Sequence, residues 1–288
     1  MASSLGMTDA EMQKFVKEKA IPELAKLFPW LGGPQWMDTA VATAKTARAT
    51  PATPAPAHGV GLRQYSVGTS PDSSFILRCL SKVDISYKTL AGRVKANWRK
   101  VPGIDSVIDI YTIEVPPEVR APFDEHKHAV GNIKQQFHGT SCDSTCNFVA
   151  APEASEPCGL NTCSLCSICM HGFRLEGNVG ATARSTNIAL RYGRGIYFSS
   201  VSGKANDYAS RTTRTAKDGK KLRCMLVADV AAGRSYRTQE ACLPANTCPP
   251  SGYDSVAGHV GPALNYEELV VYREQAALPT HLVVYSLQ

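Results

Sequence analysis

Six of the chain's ten cysteines fall between Cys142 and Cys169, among them Cys163-Ser164-Leu165-Cys166 and Cys166-Ser167-Ile168-Cys169. Cys-x2-Cys pairs with further cysteines close by have the spacing of a tetrahedral zinc site, since thiolates so placed can reach one ion. The other reading of the same residues is a set of buried free thiols. A second stretch able to do chemistry is Gly193-Arg194-Gly195-Ile196-Tyr197-Phe198-Ser199-Ser200, continuing through Lys204 to Tyr208. Glycine takes backbone angles closed to other residues and lets a ligand lie against bare main chain. Two tyrosines spaced around such a turn could sandwich a flat heterocycle, because aromatic faces stack offset on planar rings. Phe137-His138-Gly139-Thr140 lies upstream, and Asn265-Tyr266-Glu267-Glu268-Leu269-Val270-Val271-Tyr272 near the C-terminus adds two adjacent carboxylates.

The elements that must position these residues read as follows. Residues 8–28 have the pattern of an amphipathic helix, with capping-box spacing at Thr8 and Glu11 and a break at Pro22. From Ala40 to His58 the sequence is almost wholly Ala, Thr and Pro, which cannot bury enough apolar surface to offset its ordering entropy. The division expected is a helical appendage over 1–39, a linker over 40–58 and a globular domain over 60–288. Within that domain Val107, Asp109, Tyr111, Ile113 and Val115 alternate as one face of a strand. Pro116-Pro117 opens a helix that Gly131 closes, and a strand over 133–137 delivers His138 at its end. Further strands are expected over 222–230, 268–272 and 281–285. Strands outnumber helices and their connections are irregular, so the fold class is α+β with antiparallel sheets.

The chain has 288 residues, 43% of them apolar, enough for a proper core. Its formal charge is +6, which suits an anionic ligand but also serves solubility. Seven cations stand between Lys204 and Arg223 against Asp207 and Asp218, either as a solvated loop or as a contact for phosphate or nucleic acid. No stretch is long and apolar enough to span a bilayer, and the N-terminus lacks a secretory apolar segment. The expected location is therefore cytoplasmic or nuclear. In such a reducing compartment the cysteines are not a disulfide framework.

The His-Gly-Thr at residue 138, the Gly-x-Gly-Ile-Tyr-Phe at residue 193 and the Glu-x-Val-Val-Tyr at residue 268 occur in the order found in one family. With Lys204, Tyr208, the Gly252-Tyr253-Asp254-Ser255-Val256 run and Leu278-Pro279 before a last strand, residues 105–288 resemble the catalytic domain of the poly(ADP-ribose) polymerase-like ADP-ribosyltransferases. The resemblance implies two packed antiparallel sheets around a cleft that holds NAD, which is a substrate consumed in the reaction. It implies catalytic roles for His138, Tyr197 and Glu268. Cleaving the nicotinamide–ribose bond passes through an oxocarbenium-like state, and Glu268 would stabilise it while bonding a ribose hydroxyl. His138 would bond the adenosine ribose, and Gly139 with Thr140 and Gly195 would line the site. Tyr197 and Tyr208 would stack on the nicotinamide ring. Counting back from Tyr272 puts the catalytic carboxylate at Glu268, with Glu267 on the opposite face of the strand.

The sequence departs from the family pattern at two places. Lys204 is followed by Ala205, where the family commonly has a serine that bonds the nicotinamide carboxamide; Ser202 is the candidate substitute. The second departure is the cysteine-rich insertion, residues 142–171, which looks like that of certain members of the family. The first choice of zinc ligands is Cys142, Cys158, Cys163 and Cys166, with Cys146, Cys169 and His171 as alternates. The function implied is transfer of ADP-ribose from NAD to a protein acceptor, with a nucleic-acid acceptor as a second option. Two alternatives stand beside it: an NAD glycohydrolase, and a non-catalytic module that binds ADP-ribose-like ligands or nucleic acid.

Overall fold

Two eleven-residue strands, Lys221–Ala231 (β7) and Ala277–Leu287 (β11), are buried along nearly their whole length and on both faces. That pattern belongs to central strands covered on two sides. One face carries Cys224, Leu226, Ala228, Leu278, Leu282 and Val284, the other Met225, Val227, Val283 and Tyr285. Each such side chain removed fully from water contributes about 1.5–3 kcal/mol, so this pair anchors the core. The structure is a computed structural model, and it describes residues 63–66, 74–150, 157–160, 162–175, 190–244 and 248–288. The expected N-terminal helix and the Ala/Thr/Pro linker lie outside the described residues.

The strands that complete the first sheet are Arg63–Ser66 (β1), Ser74–Cys79 (β2), Ile104–Glu114 (β3), Ile133–His138 (β4) and Arg214–Thr215 (β6). Their order is β1-β2-β3-β11-β7-β4, with β6 on the start of β7, and every pairing is antiparallel. The second sheet runs β5-β10-β9-β8, built from Ile196–Phe198 (β5), Ser235–Thr238 (β8), Ser255–Gly258 (β9) and Glu268–Val271 (β10). Here β8 and β9 run parallel, a departure from the all-antiparallel expectation. Helix Ile85–Ala96 (α1) covers one face of the first sheet with Tyr87, Leu90 and Val94, and Trp98 follows it. The other face is covered by Phe123 of helix Pro117–Val130 (α2), by the cysteine-rich segment with helix Ser164–His171 (α3), and by Ile196, Phe198, Leu269 and Val271 of the second sheet. The domain is thus α+β with two packed sheets. Among the described residues no helix is long and apolar enough to cross a membrane.

Two local outcomes differ from the sequence pattern. The expected face from Val107 to Val115 is broken: Tyr111, Ile113 and Val115 join one core cluster, while Val107 packs with Ile110 in the other. The cause is a bulge. Val284 pairs with Asp109 but the next residue, Tyr285, pairs with Val107, so Ile108 is an extra residue that flips the alternation. The last strand also begins earlier than residue 281, because Leu278 and Pro279 already pair with β7 and a register shift after Pro279 absorbs the proline.

Candidate active site and cysteine cluster

The two sheets join where β4 meets β5. Phe137 N–H donates to Ser199 O at 2.8 Å and Ser199 N–H returns a bond to Phe137 O at 3.0 Å. Strand alternation sends Phe137 into the core beneath α1 and turns His138 to the opposite face. His138 is 9% exposed, and its Nδ1 lies 2.9 Å from Tyr197 O. Since a carbonyl only accepts, Nδ1 carries the proton of this bond. The next residue has to be glycine: a Cβ on Gly139 would sit 1.7 Å from Ala205 O and 3.0 Å from Tyr208 Cβ. Helix Ser202–Tyr208 (α4) therefore lies directly on the main chain after His138. Thr140 follows, 2% exposed.

The Gly-x-Gly turn has two separate reasons. Gly193 has φ +69°, in the left-handed region, and a Cβ on Gly195 would lie 2.4 Å from Val270 Cγ1 on β10. Tyr197 leaves that turn with its hydroxyl committed. It donates to Gly193 O at 2.8 Å and accepts from Tyr192 N–H at 3.1 Å. Burial pushes its phenol pKa up, so it stays a neutral ring. Tyr192, Val256 and Val270 pack as a small cluster with Tyr197 and Tyr272 against it. Tyr197 is opposite Val270, two residues beyond Glu268.

Glu268 is 8% exposed and faces Lys204 of α4. Lys204 Nζ lies 2.5 Å from its Oε1 and 3.4 Å from Tyr266 O. Burial lowers the Lys204 pKa, partly offset by the bond to Glu268. The second carboxylate oxygen, Oε2, is buried and has no hydrogen-bond partner among the described residues. Glu267 has a different environment: it is half exposed, its Oε2 accepts from Ser200 Oγ at 2.9 Å, and His259 Nδ1 stands 3.7 Å from its Oε1. Ser199 Oγ donates to Glu267 O at 2.8 Å and accepts from Val201 N–H at 3.1 Å, tying the entry of α4 to the start of β10.

The structure thus brings His138 onto the main chain of Tyr197, Gly139 under α4, and Glu268 onto Lys204. Tyr208 closes α4 over Gly139 and is 53% exposed. Ser202 does not join them. It is fully buried and its hydroxyl donates to Val94 O of α1 at 2.7 Å, which takes it out of the role of a carboxamide donor. Of the seven cations between Lys204 and Arg223, several have internal duties: Lys204 on Glu268, Arg214 Nε on Cys146 O at 2.6 Å, Arg223 on Thr213 and Asn206.

The cysteine cluster holds Cys146 where Cys142 was the first choice of ligand. The sulfurs of Cys146, Cys158, Cys163 and Cys166 all lie within 4.8 Å of one another, and Cys142 is not in the group. Its sulfur instead accepts from Arg214 Nη2 at 2.9 Å and lies 3.5 Å from Arg211 O. A turn with Cys146 N–H on Asp143 O at 3.1 Å brings Cys146 inward. The Asp143 carboxylate braces that turn, accepting from Thr145 N–H at 2.9 Å and from Thr162 Oγ1 at 2.6 Å. Sequence spacing could not choose here, since Cys142 and Cys146 are both within reach of the later pair.

The geometry fits a tetrahedral soft-metal site. Bonds of about 2.3 Å to zinc place four sulfurs about 3.8 Å apart, and Cys146–Cys166 and Cys158–Cys166 are separated by 3.6 and 3.9 Å. Hydrogen bonds from Cys142, Cys163 and Cys166 push the Cys146 thiol pKa below its usual value. Cys224, pushed up to about 12 by burial, is a core thiol without that character.

Residues 158–287 match the Poly(ADP-ribose) polymerase (PARP) catalytic domain. That match and the two-sheet architecture described above support a PARP-like ADP-ribosyltransferase catalytic domain. Tyr197, Lys204 and Glu268 fall inside the matched span, whereas His138 and Cys146 precede it and reach the site through β4 and the cysteine loop. A comparison with curated proteins gives no match.

Proposed function

We infer that this domain cleaves NAD at the nicotinamide–ribose bond and transfers ADP-ribose to a protein acceptor. The observation that carries the reading is Glu268: a buried carboxylate, held at one oxygen by Lys204, with its other oxygen lacking a hydrogen-bond partner among the described residues. Such an oxygen requires a donor, and a ribose hydroxyl supplies one. As the glycosidic bond breaks, its electron pair goes to the pyridinium nitrogen and nicotinamide leaves neutral. Positive charge grows on the ribose, and a fixed carboxylate in a site shielded from water stabilises that charge more than the ground state. An acceptor hydroxyl oxygen then forms the new bond to the anomeric carbon, and its proton passes to solvent.

In this reading His138 Nε2 accepts from the adenosine-side ribose, and Gly139, Thr140 and Gly195 border the dinucleotide. Tyr197 offers a rigid ring face, and Tyr208 a second ring. Cys146, Cys158, Cys163 and Cys166 would hold zinc as four thiolates, and an ion so held would stabilise the fold. The full chain incubated with NAD should release nicotinamide and carry ADP-ribose adducts by mass spectrometry. Binding of NAD without nicotinamide release would replace this reading with that of a non-catalytic binder. Release without adducts on itself or on added protein would replace it with a glycohydrolase.

A further inference from the structure

The ring of Phe173 stands between the cysteine cluster and His138. It meets the His138 imidazole edge-on, with centroids 5.1 Å apart and planes at 76°, and meets Phe198 at 5.1 Å and 77°. His138 and Phe198 are themselves 5.4 Å apart, so the three rings close a triangle. Phe173 is 3% exposed and follows α3 by the single residue Gly172, at φ +73°. A Cβ on Gly172 would lie 2.8 Å from Val119 Cγ1 of α2, so the turn is hemmed in and the end of α3 dictates where Phe173 falls. At its other end α3 is capped by Cys163 and carries Cys166, two of the four clustered cysteines. Leu165 N–H donates to Ser141 O at 3.0 Å, which pins that end to the segment just after His138. One short helix therefore has the sulfur cluster at its start and the His138 packing partner just past its end.

We propose that Phe173 is a positioning residue for His138, and that the four-cysteine cluster sets that position through α3 and so tunes affinity for the dinucleotide. This rests on the reading above, in which His138 holds the adenosine-side ribose. The bond to Tyr197 O anchors one atom of the imidazole; the edge-on contact with Phe173 and the tilted contact with Phe198 fix its plane. Any shift of the helix start reaches the ring, because the helix moves as a unit.

The test is a double-mutant cycle on the full chain. Phe173→Leu should weaken NAD binding, and raise KM, about three- to tenfold, the equivalent of one lost aromatic contact. Turnover and bound metal should change less than about twofold, a split that general loosening of the fold would not produce. In the imidazole 15N spectrum, the signals of His138 should move from a single tautomer toward exchange-averaged values. Cys158→Ser, at the least buried of the four cysteines, should weaken NAD binding in the same direction. Combined with Phe173→Leu its effect should be markedly less than additive. Loss of turnover with KM unchanged, an unaltered His138 spectrum, or full additivity would each overturn the proposal. Should Phe173→Leu not fold, Phe173→Met is read by the same criteria. If the wild-type chain binds no NAD, the transfer reading fails, and the positioning of His138 stands or falls on the imidazole spectrum alone.

Discussion

Replacing Glu268 by glutamine keeps the shape of the side chain and removes the charge that Lys204 faces at 2.5 Å. The loss has two parts. In the transition state, a neutral amide no longer stabilises positive charge on the ribose, and losing one preorganised electrostatic group costs about 10²–10³-fold in turnover. In the folded state, removing one partner of a buried pair can cost about 3–5 kcal/mol. Here the figure is smaller for two reasons. The glutamine Oε1 still accepts from Nζ, and Lys204, whose pKa burial already lowers, can shed its proton instead of standing as an orphan charge. A loss of about 1–3 kcal/mol remains. For a domain of this size that lowers Tm by about 2–12 °C. Glu267→Gln is the control, since that side chain is half exposed and its bond from Ser200 Oγ survives the change. The assay is nicotinamide release under saturating NAD, with Tm measured on the same samples. The expected result is a large fall in turnover for Glu268→Gln with NAD affinity changed far less, and near-normal turnover for Glu267→Gln. If the two variants exchange roles, the register of β10 is wrong by one residue; if neither loses turnover, the transfer mechanism is refuted.

Two further outcomes follow from the same geometry. The purified chain should hold about one equivalent of zinc, and Cys146→Ser should lose much of it whereas Cys142→Ser should keep it, by elemental analysis, because only Cys146 sits in the sulfur cluster. Burial lowers the pKa of His281 from its ordinary value, so the unfolded chain binds the proton more readily. Stability should therefore be complete above about pH 6.5 and be lost as pH falls below the ordinary histidine range toward the lowered value. His126 and His171 are shifted the same way by burial, so His281→Gln should flatten only part of that slope in denaturant titrations at pH 7.5 and pH 5.5. An unchanged slope would show that His281 is not the proton acceptor.

How far the sequence discloses this architecture depends on whether a signal is local. Helix α2 was legible at both ends because Pro117 presets its first turn and Gly131 takes the left-handed cap at φ +66°. The strand ending in His138 and the strand beginning at Glu268 were legible from the motifs that lie on them. What could not be read depends on partners far along the chain. Ile108 bulges because of how β11 lies against β3, and nothing within the segment itself marks the extra residue. Cys142 and Cys146 are chemically alike, and what sets them apart is Arg214, 72 residues after Cys142, which engages the Cys142 sulfur. Ser202 looked like a spare hydroxyl, but the carbonyl it serves belongs to Val94, more than a hundred residues earlier. Phe173 carried no functional signal of its own, since a lone aromatic after a glycine reads as core.

The glycines of the recognisable motifs bear on what such motifs report. Gly139 is required because Ala205 O would lie 1.7 Å from its Cβ, Gly195 because Val270 presses on it, and Gly203 because Trp98 O would lie 1.9 Å from its Cβ. Each marks a place where two elements meet backbone to side chain or backbone to backbone: α4 on the turn after β4, β10 on the turn before β5, and the loop after α1 on α4. These contacts bring Lys204 to Glu268 and the Tyr197 carbonyl to His138. The glycines therefore encode the join between the two sheets, a property of the fold, and would be needed whether or not the domain turned over a substrate. In the proposed function the chemistry falls on fewer residues, and among them Glu268 has a buried oxygen with no hydrogen-bond partner among the described residues, which packing does not explain. A buried acceptor without a donor costs the folded domain stability. In the proposed function a ligand hydroxyl completes the bond, so the Glu268→Gln assay is the measurement that separates an enzyme from an inert scaffold.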